Sequence, residues 1–209
     1  MSALKRIALY GGTFDPVHVG HVEVARKVAE VFEFDRVVFI PAQMAPHKIG
    51  RPVTEPIHRY AMLALATQDD PRLLISTFEL DAPDRRYTVD TVEHFQRELD
   101  AATELFFIMG ADSWSEITTW RDWERLLAMT NYIVVTRPGY EPTTTHVGEL
   151  SRRVVFTDVV MNDVSATRIR QLASEGRFEE LIGLLPERVF EYIKKYGIYR
   201  ELNEAKLNS

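Results

Sequence analysis

Cysteine is absent from the 209-residue chain. That excludes a disulfide framework and a thiolate metal site. Also missing is any run near the roughly 18 uninterrupted apolar residues that a membrane-spanning helix needs. The start, MSALKRIALYGG, leads directly into a strand pattern, without the apolar stretch and small-residue cleavage site of a secretory signal. These absences make the cytoplasm the expected location. Positive charge is in deficit as well: 25 Lys and Arg against 31 Asp and Glu leave a net charge of −6. A field of that sign repels nucleic acid and anionic membranes, so neither is expected as a partner. An anionic ligand would need a local cation cluster. One candidate is visible, with His18, His21, His47 and His58 lying among Lys48, Arg51 and Arg59. Composition leaves a homo-oligomer open.

What the chain does have is 45% hydrophobic residues, enough for one sizeable core. Their pattern alternates strand and helix. Strands are expected at RIALYGG (6–12), RVVFIPA (36–42), LLISTFEL (73–80), ELFFIMG (104–110), NYIVVTR (131–137) and RVVFTDV (153–159). Several are continuous apolar runs, as parallel strands covered on both faces require. Between them, Val22, Ala25, Ala29 and Phe32, and then Val89, Val92, Phe95 and Leu99, keep a three-to-four spacing that predicts amphipathic helices. The expected class is α/β, a Rossmann-like open parallel sheet flanked by helices. A helical C-terminal tail over about 165–200 completes a single domain spanning 1–209. Its last helix lies between Pro186 and Gly197. Two polar loops, 44–56 and 137–150, are longer than simple connectors need to be.

The stretch YGGTFDPVHVGH (10–21) carries the first chemical signal. Gly11 and Gly12 end a strand, where missing Cβ atoms would let the backbone approach a ligand. The helix that follows would direct unpaired amides and a positive dipole end outwards, an anion site. Asp15 is a candidate cap with Pro16 at the first helical position. His18 and His21 then share a face, and Gly20 would leave open space between them. A pair of histidines can also begin a metal site. Neither HExxH nor a third ligand at a recognisable spacing is present, so no metal ligand is assigned.

GGTFDPVHVGH resembles the strand-turn-helix signature of the nucleotidyltransferase superfamily with the HxGH motif, and VSATRIR (164–170) resembles its late ISSTxIR signature. Further segments narrow the likeness: APHK (45–48), HRYAM (58–62), RYTVDT (86–91), GAD (110–112), Trp120 and RPG (137–139). Together they are similar to the bacterial nicotinate mononucleotide adenylyltransferase family, from residue 6 to about 199. The resemblance implies that ATP and nicotinate mononucleotide react to give deamido-NAD and pyrophosphate. The attacking group would be a phosphate monoester, mostly dianionic at neutral pH because its second pKa is about 6. No general base is then required. Rigid donors and cations must instead align two polyanions and stabilise the charge that develops on phosphoryl oxygens.

Carried over residue by residue, the resemblance gives His18, His21, Lys48 and Arg170 catalytic roles. It assigns ATP to Gly11, Gly12, Thr13, Phe14, His18, His21, Gly110, Asp112, Ser165, Thr167 and Arg170. It assigns nicotinate mononucleotide to Asp15, Lys48, Tyr87, Thr88, Trp120 and Arg137. Trp120 would stack on the pyridine while amides near Thr88 read the carboxylate, with Tyr87 and Trp114 as pocket walls. Alone, Ser165 reads as an ordinary helix cap with Arg168 and Arg170 on a solvated face, but paired with the first motif it reads as a phosphate ligand, while Asp112 reads equally as a cap or a ribose ligand. Ala166 replaces a hydroxyl of the late signature, and Arg86 replaces a small residue, pointing to the carboxylate or to solvent. Mg²⁺ is expected with ATP, without an assigned protein ligand. Two other readings stay open. Phosphopantetheine adenylyltransferase shares HxGH but lacks the APHK and YTVDT segments, and a non-catalytic nucleotide sensor would keep only the binding site.

Overall fold

Six apolar segments pair as parallel strands in the computed structural model of the chain, which describes residues 5–43, 53–82, 86–136, 147–158 and 164–200. They are β1 (Lys5–Gly12), β2 (Arg36–Pro41), β3 (Leu73–Ile75), β4 (Thr103–Gly110), β5 (Asn131–Val135) and β6 (Val154–Thr157). Their order is β3-β2-β1-β4-β5-β6, with every neighbouring pair parallel. Helices α1 (Val19–Val31), α2 (Pro56–Thr67), α3 (Thr88–Glu98), α4 (Ala111–Ser115), α5 (Trp123–Met129), α6 (Ala166–Ser174) and α7 (Glu187–Tyr196) make the crossovers and the tail. The expected Rossmann-like open sheet is what the chain forms.

Alternation along each strand divides the core. Ala8 and Tyr10 of β1 face a cluster with Val22, Ala25 and Val28 of α1, Met62 and Leu63 of α2, Ile169 of α6 and Val189 of α7. Ile7 and Leu9 face Val89 and Val92 of α3 and Leu126 and Leu127 of α5. Both faces are covered, which explains the unbroken apolar runs.

Some boundaries differ from expectation. β3 stops at Ile75 rather than continuing to residue 80, because the Ser76 hydroxyl accepts the Phe78 amide at 3.1 Å and the chain turns. Within the expected helical tail over about 165–200, the stretch between α6 and α7 forms only a 3₁₀ turn, Phe178–Leu181. Gly197 ends α7 in the left-handed region, at φ 63°, as its position suggested.

The two glycines closing β1 are fixed by packing. A Cβ on Gly11 would lie 2.6 Å from Phe107 Cζ, and one on Gly12 would lie 2.8 Å from Phe14 Cζ. The space on the Cβ side is filled by the protein's own rings, so the missing Cβ atoms serve packing there and leave only backbone to meet a ligand. Phe107 is buried, so moving its ring would disturb the packing around it. Gly11→Ala is therefore expected to destabilise the fold by about 1–3 kcal/mol, measured as a lower urea midpoint. An unchanged midpoint would mean that the ring has room to move.

Candidate active site

Sheet order reverses between β1 and β4, which places a crevice beyond their carboxyl ends. Register shows it opening. β1 pairs with β2 as far as Gly12, and β4 with β5 as far as Gly110, but β1 and β4 pair only to Tyr10 and Ile108. Gly12 and Gly110 therefore end on opposite lips. Past Gly12, Thr13 is half-buried and Phe14 adopts φ 50°. That left-handed conformation costs a bulky residue about 1–3 kcal/mol. The ring explains why it persists, being packed edge-on to Tyr10, Phe39 and His21. Phe14 is thus a core side chain, and only its backbone faces the crevice edge. The Asp15–Pro16 peptide is cis.

α1 starts later than the sequence suggested. Its N-cap is His18, not Asp15. The Val19 amide donates to the Leu184 carbonyl at 3.1 Å, and the His21 amide turns back to the His18 carbonyl at 3.0 Å. Two of the helix's first three amides are already bonded, so the imidazoles rather than the helix end are its donors toward the crevice. Gly20 is buried, and the two rings stack face to face with centroids 3.7 Å apart, leaving no gap between them. The His18 amide donates to His21 Nδ1 at 3.3 Å. In a neutral ring that places the proton on Nε2. His18 Nδ1 is buried without a hydrogen-bond partner among the described residues, a polar atom that a ligand would satisfy.

Burial lowers the His18 pKa from 6.5 to about 4 and, together with neighbouring His18, drives His21 well below its ordinary value. Both rings are neutral at pH 7. As pH falls, the unfolded chain takes up these protons before the folded one does. Their stabilisation is complete above about pH 6.5 and is lost as pH drops toward about 4. Urea midpoints should fall between about pH 7 and about pH 4.5, with a shallower fall in His18→Gln. Equal slopes in the two proteins would show that this ring is not responsible.

The late segment joins the early one directly. Arg170, buried on α6, donates through Nη1 to the Asp15 carbonyl and through Nη2 to Thr167 Oγ1 at 3.0 Å. Ser165 occupies the N-cap of α6, yet its hydroxyl makes no capping bond, and both Ser165 and Thr167 are exposed. Asp15 itself is buried. Its carboxylate accepts the Tyr199 hydroxyl at 2.7 Å and the Thr54 amide at 3.4 Å. It is therefore held by the protein rather than turned toward a ligand.

Arg59, expected in the cation cluster, is 0% exposed. Its guanidinium donates to the carbonyls of Thr54, Thr13, Ala42 and Gln43 at 2.6–3.1 Å, tying the ends of β1 and β2 to the start of α2. The sequence did contain a signal. Arg59 lies on the same helical stripe as Met62, Leu63 and Ala66, all buried. His58 leaves the cluster too, its Nδ1 lying 2.9 Å from the Tyr192 hydroxyl on α7. Lys48, His47, Arg51 and Arg137 lie outside the described residues.

On the other face of the sheet, Tyr87 is the N-cap of α3, and its amide donates to Asp90 Oδ2 at 3.1 Å. The Asp90 and Thr91 amides return to the Tyr87 carbonyl, so Thr88 and Val89 supply the outward amides of the first turn. Trp120 is half-buried, and its buried Nε1 has no hydrogen-bond partner among the described residues. Trp114 is not a pocket wall. It is 0% exposed, edge-on to Phe156 in the core. Arg86 is exposed, and its guanidinium lies over the Phe78 ring, 4.4 Å from the centroid. Gly110 is exposed and caps α4, with nothing within 4 Å of where its Cβ would be, and Asp112 is exposed in the first turn. Among the described residues, no three His, Asp or Glu side chains converge as a metal site.

Residues 9–172 match the cytidylyltransferase-like family. A Thermus thermophilus protein named "probable nicotinate-nucleotide adenylyltransferase" is 42% identical over 195 residues, covering 93% of this chain and all of that one. A Thermoanaerobacter protein of the same name is 40% identical over 205 residues, 95% of this chain and 96% of its own. In solved structures, the fold matches a Plasmodium falciparum nicotinic acid mononucleotide adenylyltransferase complexed with NaAD. That match has a TM-score of 0.75 at 19% identity and covers 93% of this chain and 97% of the other. The class is thus a cytidylyltransferase-like nucleotide-binding fold. Within that class, the chain belongs to the nicotinate-nucleotide adenylyltransferase family.

Proposed function

We propose that the protein transfers the adenylyl group of ATP to nicotinate mononucleotide, giving deamido-NAD and pyrophosphate, as a single domain over 1–209 acting in the cytoplasm. The observation that carries this reading is the bond from Arg170 to the Asp15 carbonyl, which fastens the late segment to the turn that leads into His18 and His21. The mononucleotide's dianionic phosphate attacks the α-phosphorus of ATP. A new P–O bond forms as the bond to the β-phosphate's bridging oxygen breaks, and pyrophosphate leaves with the electron pair. No proton has to be removed from the nucleophile.

Neutral imidazoles suit this chemistry. His21 presents an Nε2–H whose tautomer is set by the His18 amide, and rigid donors of this kind stabilise charge as it develops without reorganising. Arg170 brings fixed positive charge, and Ser165 and Thr167 offer exposed hydroxyls to the departing phosphates. Lys48 is assigned as a further phosphate cation, and Arg137 to the mononucleotide. Backbone at Gly11, Gly12, Thr13 and Phe14 lines the ATP side, with Gly110 and Asp112 at the ribose. Trp120 stacks on the pyridine, and Tyr87 and the Thr88 amide face its carboxylate. Asp15 supports the mononucleotide side through its own bonds. Enzymes of this kind use a divalent ion. With no acidic cage among the described residues, Mg²⁺ would arrive on the triphosphate oxygens and neutralise part of their charge.

Pyrophosphate release should be measured with ATP and, in turn, nicotinate mononucleotide, nicotinamide mononucleotide and phosphopantetheine. Release with the nicotinate form well above the others is expected. Release with phosphopantetheine, or nucleotide binding without any release, would replace this reading with one of its two rivals.

A further inference from the structure

Two carboxylic acids are buried among the described residues, Asp15 and Glu79. The bonds of Asp15 belong to the crevice already described. Glu79 is 9% exposed, lies in the turn over 78–81 that follows β3, and belongs to none of the recognised motifs. Its partner is specific: the hydroxyl of fully buried Thr91 donates to Oε1 at 2.7 Å. The same hydroxyl is 3.4 Å from the Tyr87 carbonyl, so its single proton goes to the carboxyl group.

We infer that Glu79 is a positioning residue for recognition of the mononucleotide's pyridine substituent, acting through Thr91 on the first turn of α3. This rests on the reading above that the turn faces the nicotinate group. The geometry is that of a clamp. Thr91 joins the turn 78–81 to α3, while the Thr91 amide holds the Tyr87 carbonyl at 3.2 Å. Phe78 stacks on His94 of α3 at 3.9 Å, with interplanar angle 3°, and receives the Arg86 guanidinium on its ring. On the other flank, Gln43 Nε2 donates to the Ala82 carbonyl at 2.5 Å, connecting the turn to the end of β2. Tyr87 and Thr88 are thus placed by a segment whose polar anchor is Glu79.

A carboxyl group in that place also has an electrostatic consequence. Ionised, it opposes a second carboxylate at the same helix start. Protonated, it does not. Burial raises its pKa to about 7, against the Thr91 bond and Arg86, which lower it, while Asp90 adds to the rise. Recognition of an acid substituent should therefore weaken as pH rises through neutrality, whereas recognition of an amide should not. The two mononucleotides share the same phosphate, so their ratio cancels its titration.

The test measures kcat/KM for nicotinate and nicotinamide mononucleotides from about pH 6 to about pH 8.5, in wild type, Glu79→Gln and Thr91→Val, with KM for ATP alongside. Wild type should show a nicotinate-to-nicotinamide ratio that falls several-fold across this range. Glu79→Gln keeps the volume and an acceptor oxygen, and its ratio should be flat, with KM for ATP unchanged. Thr91→Val should lower the ratio about tenfold, the equivalent of roughly 1.4 kcal/mol. If Glu79→Gln does not fold, Thr91→Val decides alone. A pH-dependent ratio in Glu79→Gln matching wild type, or equal loss for both mononucleotides and ATP, would overturn the inference. Wild type preferring the nicotinamide form would instead overturn the proposed function itself.

Discussion

His18→Ala is expected to reduce turnover by about 10²–10³, the usual cost of removing one preorganised donor to a developing anion. Its melting temperature should change little by comparison. His18 caps α1 through its backbone, which alanine keeps, and the ring's Nδ1 makes no hydrogen bond among the described residues. What alanine removes is the ring stacked on His21 at 3.7 Å and the donor it presents to the crevice. The loss should appear in kcat more than in KM for ATP, because the interaction strengthens only as charge moves onto the phosphoryl oxygens. Single-turnover rates and thermal melts of the two proteins check both halves. Turnover near wild type with an unchanged melt would remove the ring from the chemistry. A collapsed melt would make it a structural residue.

The largest effect on stability is expected at Arg59. Replacing it with leucine leaves the carbonyls of Thr13, Ala42, Gln43 and Thr54 without their donor. It also strips a positive charge from beside buried Asp15, whose charge acts on that guanidinium. Breaking such a buried charged network costs about 3–5 kcal/mol. Lysine should recover little of it, since a single ammonium cannot span four carbonyls that a planar fork reaches. Activity should fall with stability, as the same carbonyls close the ends of β1 and β2 around the crevice. Urea unfolding of Arg59→Leu and Arg59→Lys measures this. A lysine variant within about 1 kcal/mol of wild type would show that charge alone suffices.

Periodicity revealed the sheet because apolar runs covered on both faces have few alternative homes. Strand ends were less legible. LLISTFEL looks like one strand, yet a side-chain hydroxyl at Ser76 gives the backbone a local alternative to the ladder. The double glycine was visible, but its cause was not, since no sequence pattern announces that Phe107 and Phe14 occupy the missing Cβ positions. Asp15-Pro16 carries the local statistics of a helix start, and a left-handed Phe14 overrides them by turning the chain before α1 begins. At Arg59 the charge points to the surface while the helical stripe shared with Met62, Leu63 and Ala66 points to the core, and the stripe wins. Glu79 lies inside an expected strand, where one acidic residue among apolar neighbours looks like a solvent-facing position. The pairing of the early and late segments was legible only through family resemblance. The structure adds the atoms, Arg170 Nη1 and the Asp15 carbonyl, that bring them together.

A crystal structure with a non-hydrolysable ATP analogue is the most direct measurement. The account predicts phosphate oxygens at hydrogen-bond distance, about 3 Å, from ring nitrogens of His18 and His21, with the Ser165 and Thr167 hydroxyls along the same polyphosphate. A triphosphate held elsewhere on the molecule, with both rings untouched, would contradict it.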